Sequence, residues 1–130
     1  MKKLLLALFT CFGLTFNIAY ANPIIDKAYY QKKSDVQVQG SGKVIKILSD
    51  DNKGSRHQRF ILKLPSNLSI LVAHNIDLAP RINDLKTGDI VEFYGEYEWN
   101  NKGGVIHWTH HDPRKKHKDG WLKHKGKIYQ

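Results

Sequence analysis

The chain has 130 residues, 41% hydrophobic and 25% charged, with 21 Lys+Arg against 12 Asp+Glu for a formal charge of +9. Those figures fit one small globular domain and exclude a multidomain enzyme. The lone cysteine, Cys11, lies in a segment that reads as cleavable, so disulfides and thiolate chemistry are excluded from the rest.

Lys2 and Lys3, an apolar run from Leu4 to Phe16 and the small-residue site Ala19-Tyr20-Ala21 predict a secretory signal over residues 1–21, cleaved before Asn22. The apolar run is 13 residues, short of the roughly 18 needed to cross a bilayer, so no transmembrane segment is expected in the mature protein. Bulky Leu8-Phe9-Thr10 ahead of Cys11 argues against lipid modification. The product is expected to be periplasmic or secreted. Processing removes two lysines and no acid, leaving 19 basic against 12 acidic side chains, a charge of +7.

Residues 22–34 read as an N-terminal arm or short helix, with Ile24, Ile25, Ala28 and Tyr29 at helical spacing. From Asp35 the period becomes two. Val36 and Val38 alternate with glutamines, and Val44 to Leu48 follows Gly40 and Gly42, so a long first strand bent at its glycines is expected. Residues 57–74 predict a hairpin broken at Pro65-Ser66-Asn67. A turn between Ser66 and Asn67 would place Arg59 opposite His74. Asn75 to Leu85 loses the alternation and predicts a connector with one helical turn. Ile90 to Trp99 predicts a strand with Val91, Phe93, Gly95, Tyr97 and Trp99 facing the core, and Glu92, Tyr94, Glu96 and Glu98 facing water. Asn100 to Gly104 is a turn, Val105 to His110 a fifth strand, and residues 121–129 a terminal hairpin about Gly126.

Five strands, a connector between the third and fourth and a bent first strand predict an all-β, five-stranded Greek-key barrel of the oligonucleotide/oligosaccharide-binding (OB) type over residues 35–130. The strings Gly54-Ser55-Arg56-His57-Gln58-Arg59-Phe60, His74-Asn75-Ile76-Asp77-Leu78-Ala79-Pro80-Arg81, Glu92-Phe93-Tyr94-Gly95-Glu96-Tyr97-Glu98-Trp99, Gly104-Val105-Ile106-His107-Trp108-Thr109-His110 and Gly120-Trp121-Leu122 resemble the bacterial domain-of-unknown-function 3465 family across nearly all of the mature chain. The resemblance implies a small exported bacterial protein and supplies no catalytic assignment.

Gly40-Ser41-Gly42 lacks the third glycine and following helix of a nucleotide loop. Two constellations hold more promise. The third and fifth strands of such a barrel run parallel, which brings His57, His74 and His110 to one rim with Asp77 and His111; neutral imidazoles beside a carboxylate suit zinc or another divalent metal, or acid-base work near neutral pH. The second is a basic tail from Asp112 to Gln130, with seven Lys/Arg against two Asp. There Lys115, Lys116 and Lys118 interleave with Trp121, and Arg56, Arg59, Arg81 and Trp108 extend the surface, as a single-stranded nucleic acid or acidic glycan would require. The leading expectation is an exported, non-catalytic module for an anionic polymer, needing no cofactor. The rivals are a metal-assisted hydrolase, such as a phosphodiesterase, acting at the histidine rim, and an envelope protein-protein interaction module.

Overall fold

The computed structural model describes residues 23–130, so the expected signal segment lies outside the described residues. Helix α1 (Pro23–Tyr30) is followed by β1 (Val36–Ile47), β2 (His57–Lys63), β3 (Ser69–Asn75), β4 (Ile90–Glu98), β5 (Val105–His107), β6 (Trp121–His124) and β7 (Lys127–Tyr129). Neighbours run β1-β2-β3-β5-β4, and β4 returns to pair antiparallel with β1, closing a five-stranded OB-like barrel in which β3 and β5 are parallel.

Alternation decides which residues fill it. Phe60 and Leu62, Ile70 and Val72, Val91, Phe93 and Tyr97 come from the inward positions of β2, β3 and β4 and are fully or almost fully buried. The amphipathic α1 adds Ile25 and Ala28 to this core, and its Asp26 accepts a hydrogen bond (2.8 Å) from Ser66 at the β2–β3 turn. The opposite end of β2 and β3, at His57 and Asn75, is left for other work. The β6–β7 hairpin extends the sheet beyond the barrel from the first half of β4. Its two-residue turn, Lys125-Gly126, is left-handed at both positions (φ +51° and +80°), as the tightest hairpins require.

Two expectations are corrected, the extent of the fifth strand and the register of the first hairpin. The first strand is one long strand whose pairing passes from β4 to β2 at Gly42-Lys43, where the bend is expected, and it carries a bulge at Ile45, between the Val44 and Lys46 pairings. Gly42 is small for a packing reason: a Cβ there would sit 2.9 Å from the Leu62 Cβ, where β1 passes from β4 to β2. The connector after β3 holds the one helical turn expected of it: the Ala79 amide donates to the Asn75 carbonyl (3.1 Å), and Asn75 Oδ1 accepts from the Asp77 and Leu78 amides at its start. The fifth strand stops at His107, because Trp108 takes a left-handed conformation (φ +57°).

The hairpin register is the correction with the largest consequence. Pro65, Ser66 and Asn67 form a three-residue turn in which the Leu64 amide donates to Leu68 and Asn67 takes φ +76°. His57 therefore faces Asn75, Arg59 faces Ala73, and His74 faces Gln58. A slip of one residue exchanges the two faces of a strand. His74 lies inside the barrel, with Gln58 and Thr109, and all three are buried.

Candidate functional site

Trp108 carries the chain off the sheet, and residues 108–120 fold back over β4. Two carboxylates organise this loop. Asp112 accepts backbone hydrogen bonds from Arg114 (2.9 Å), Lys116 (2.9 Å) and His117 (2.7 Å). Asp119 accepts from the Asp112 amide and from His111 Nδ1. The amide of His117, then that of Arg114, holds the Asp112 carboxyl below the usual range, and the His111 ring does most of the same for Asp119. With both acids committed to the loop's own backbone and to His111, Arg114, Lys115, Lys116 and Lys118 are exposed, with no ion pair among the described residues. The expected basic tail is thus a carboxylate-centred loop followed by a hairpin.

His117 lies flat on Trp108, with centroids 3.8 Å apart and planes 7° from parallel. Its Nδ1 donates to the Lys118 carbonyl (2.8 Å), and Nε2 meets a carboxylate oxygen of Glu96 on β4. Burial opposes charge on this ring, but the Lys118 carbonyl and the Glu96 and Asp112 carboxylates outweigh it and raise the pKa. A protonated His117 can donate from both nitrogens, and a cation stacked on indole is itself favourable. The face of β4 expected to meet water is partly covered at this point: the Glu96 side chain is only 15% exposed.

Two clefts meet at Trp108 and Leu78. One, of about 590 Å³, is lined further by Pro113, Arg114, Lys116 and His117. The other, of about 250 Å³, opens over the ends of β2, β3 and β5 beside His57, Asn75, His107 and His110. The His110 ring also stands close to this indole, centroids 5.1 Å apart and planes at 35°. It is therefore the part of Trp108 left open between the His117 and His110 rings that can receive a planar group, with cations on one side for its negative charges.

The expected histidine rim comes together only in part. His57 and His110 line the smaller cleft, and each donates from Nδ1 to a main-chain carbonyl, of Ser55 and His111 respectively. His74 lies behind them. Its Nε2 donates to the Pro80 carbonyl (2.9 Å), which leaves Nδ1 to accept from the Thr109 hydroxyl (2.7 Å). Neither ring nitrogen is then free for an ion, so the set of His57, His74 and His110 is not a ligand set in this arrangement. Asp77 pairs with Arg56 at 2.8 Å, and His111 belongs to the Asp119 loop.

The arginines expected to extend the basic surface are largely spoken for. Arg56 is held by Asp77, Arg81 forks onto both oxygens of Asp50, and Arg59 donates from Nε and Nη2 to the Ser49 carbonyl. Trp121 packs on Tyr94, centroids 6.1 Å apart. Of the residues lining the larger cleft, Arg114 belongs to the expected basic tail, whereas Leu78 and His117 lie outside the expected site. The legible signal for the loop that presents two of them was Asp112-Pro113, a pairing that favours a turn built on the aspartate side chain.

Residues 6–130 match the model of a family described as a protein of unknown function, DUF3465. The chain belongs to the DUF3465 family. No curated protein matches the chain. As a DUF3465 member it carries no inherited assignment, and its chemistry has to be argued from the Trp108 clefts themselves.

Proposed function

We propose that this DUF3465 domain is an exported binding module that engages an anionic polymer, with single-stranded nucleic acid as the ligand the cleft suits best. The observation that carries the reading is Trp108, backed by His117 and set between Arg114 and Lys116 on one side and the imidazoles of His57, His107 and His110 on the other. A base can stack on the indole while phosphates follow the cations of the loop.

Titration of a short single-stranded DNA at several salt concentrations, with chelator present, tests this. Affinity should fall steeply as salt rises, since each neutralised phosphate releases counterions. Replacing Lys115, Lys116 and Lys118 together with Ala should flatten the log-log slope by about 2, at roughly 0.7 per single-strand phosphate contact. Trp108→Ala should weaken binding by about 5- to 150-fold, the equivalent of about 1–3 kcal/mol for one stacked base, with less change in slope. Absence of binding at low salt would defeat the proposal.

Export is the other half of the reading. Lys2-Lys3, the 13-residue apolar run and Ala19-Tyr20-Ala21 support cleavage before Asn22. The intact mass of the exported protein should correspond to residues 22–130; a full-length species held in the inner membrane would overturn it.

A further inference from the structure

On the outer face of β4 stand Glu96 and Glu98, two residues apart and therefore on the same side of the sheet. The β4–β5 register places Glu96 directly opposite His107 and Glu98 opposite Val105, so His107 is the direct partner of one glutamate and the diagonal neighbour of the other. One ligand atom from each of the three residues lies within 4.8 Å of the other two. We propose that Glu96, Glu98 and His107 form a binding site for a divalent transition-metal ion, with Zn²⁺ as the fitting case.

Three independent features point to a cation. His107 Nε2 is out of contact with solvent and has no hydrogen-bond partner, although Glu98 Oε2 stands 3.5 Å away. A buried nitrogen left unmatched is costly, and a metal ion would satisfy it. The two carboxylates repel each other on one face. Although the chain carries 21 lysines and arginines, none forms an ion pair with either glutamate among the described residues; their partners there are His117 and His107. A divalent ion would neutralise both carboxylates at once. Finally, His117 engages one oxygen of Glu96 and leaves the other, which is how a ligating carboxylate is aimed.

The donor set selects the ion. An imidazole nitrogen with carboxylate oxygens suits Zn²⁺ and its neighbours, whereas Mg²⁺ and Ca²⁺ favour all-oxygen sites. Tetrahedral ligands at about 2.0–2.1 Å stand about 3.3 Å apart, a contraction that small side-chain rotations supply. Three protein ligands leave a fourth position for water or an anion. His107 also lines the smaller cleft beside Trp108, so the ion would sit at its wall. The inference does not depend on polyanion binding, and it replaces the rim of His57, His74 and His110 with a different set.

Chelator-stripped protein, titrated with ZnCl₂ by calorimetry and with CoCl₂ by visible absorption, tests the proposal without nucleic acid. One ion per chain is expected, with a cobalt spectrum of low coordination number. Glu98→Gln and His107→Ala should each weaken binding by at least about 100-fold, while His57→Ala and His110→Ala leave it unchanged. His117→Ala should keep the one-to-one stoichiometry, lower affinity about 10- to 100-fold and shift the cobalt bands, because it positions Glu96. The half-exposed Glu98 makes Glu98→Gln the variant that decides if His107→Ala fails to fold. No stoichiometric binding by the wild type, or binding unaltered in Glu98→Gln, would overturn the site.

Discussion

Gly120→Ala should lower the thermal midpoint by on the order of 10 °C and cost most of the polyanion affinity with it. Gly120 is buried where the loop returns to β4, and its amide donates to the His110 carbonyl at 2.9 Å. A Cβ at this position would overlap the Trp108 carbonyl oxygen and lie 2.5 Å from that of Tyr94. Both obstacles are backbone, so neither can rotate away. Overpacking of this kind costs about 1–3 kcal/mol, and each kcal/mol moves the midpoint of a domain this size by about 4–8 °C. The relief available is to lift residues 108–120 from the barrel, which separates His117 from Glu96 and disturbs the stack under Trp108. Gly54→Ala is the matched control. Its Cβ would meet nothing within 4 Å, so only the left-handed backbone (φ +64°) is strained, and DNA binding should persist. Calorimetry and DNA titration of the two variants decide the matter. A Gly120→Ala protein as stable as the wild type would mean the loop is not wedged against β4.

The barrel was legible because period-two alternation is a statement about burial. Val91, Phe93 and Tyr97 on β4 and Phe60 and Leu62 on β2 read as one inward face and are one. The parallel pairing of β3 with β5 followed from closing five such strands, and it did bring His57 and His110 to one cleft. What alternation does not carry is the phase between two strands, which depends on how many residues the turn uses. Reading two where Pro65-Ser66-Asn67 uses three put His74 on the wrong face, and the metal rim was built on that face. Charge had a similar blind spot. Arg56, Arg59 and Arg81 look like free cations in a list, but their partners Asp77, Ser49 and Asp50 are 10–31 residues away in sequence. Glu96, Glu98 and His107 went unnoticed because a cross-strand pair has no fixed spacing. Its faint trace was two glutamates at i and i+2 ahead of a turn and a histidine.

Acidification from pH 7 to 4.5 should destabilise the wild type steeply, and His74→Gln should lose most of that pH dependence. His74 is fully buried, and burial pushes its pKa from 6.5 to about 4; the nearby rings of His110 and His57 push the same way, while the Pro80 carbonyl resists. The folded state therefore prefers the neutral ring. Between pH 6.5 and 4 the unfolded chain binds this proton and the folded chain does not, so stability rises with pH across that window. The contribution is complete above pH 6.5 and lost as the pH falls toward 4. A shift of this size corresponds to about 3 kcal/mol, or on the order of 10 °C in midpoint. His117 works in the opposite sense: its raised pKa favours the fold at low pH, and it softens the slope without reversing it. The carboxyls of Asp50, Asp77, Asp89, Asp112 and Asp119 are all lowered from 3.8, so their losses only begin at the acid end of the window and fall mainly below it. Gln at position 74 can still offer a donor and an acceptor but takes up no proton. It should be less stable than the wild type at pH 7 and converge with it near pH 4.5. Thermal midpoints of both proteins at pH 7, 5.5 and 4.5 provide the measurement. A wild-type midpoint that stays level across that range would mean that the proton reaches His74 at no cost, and that the ring is not locked between Pro80 and Thr109.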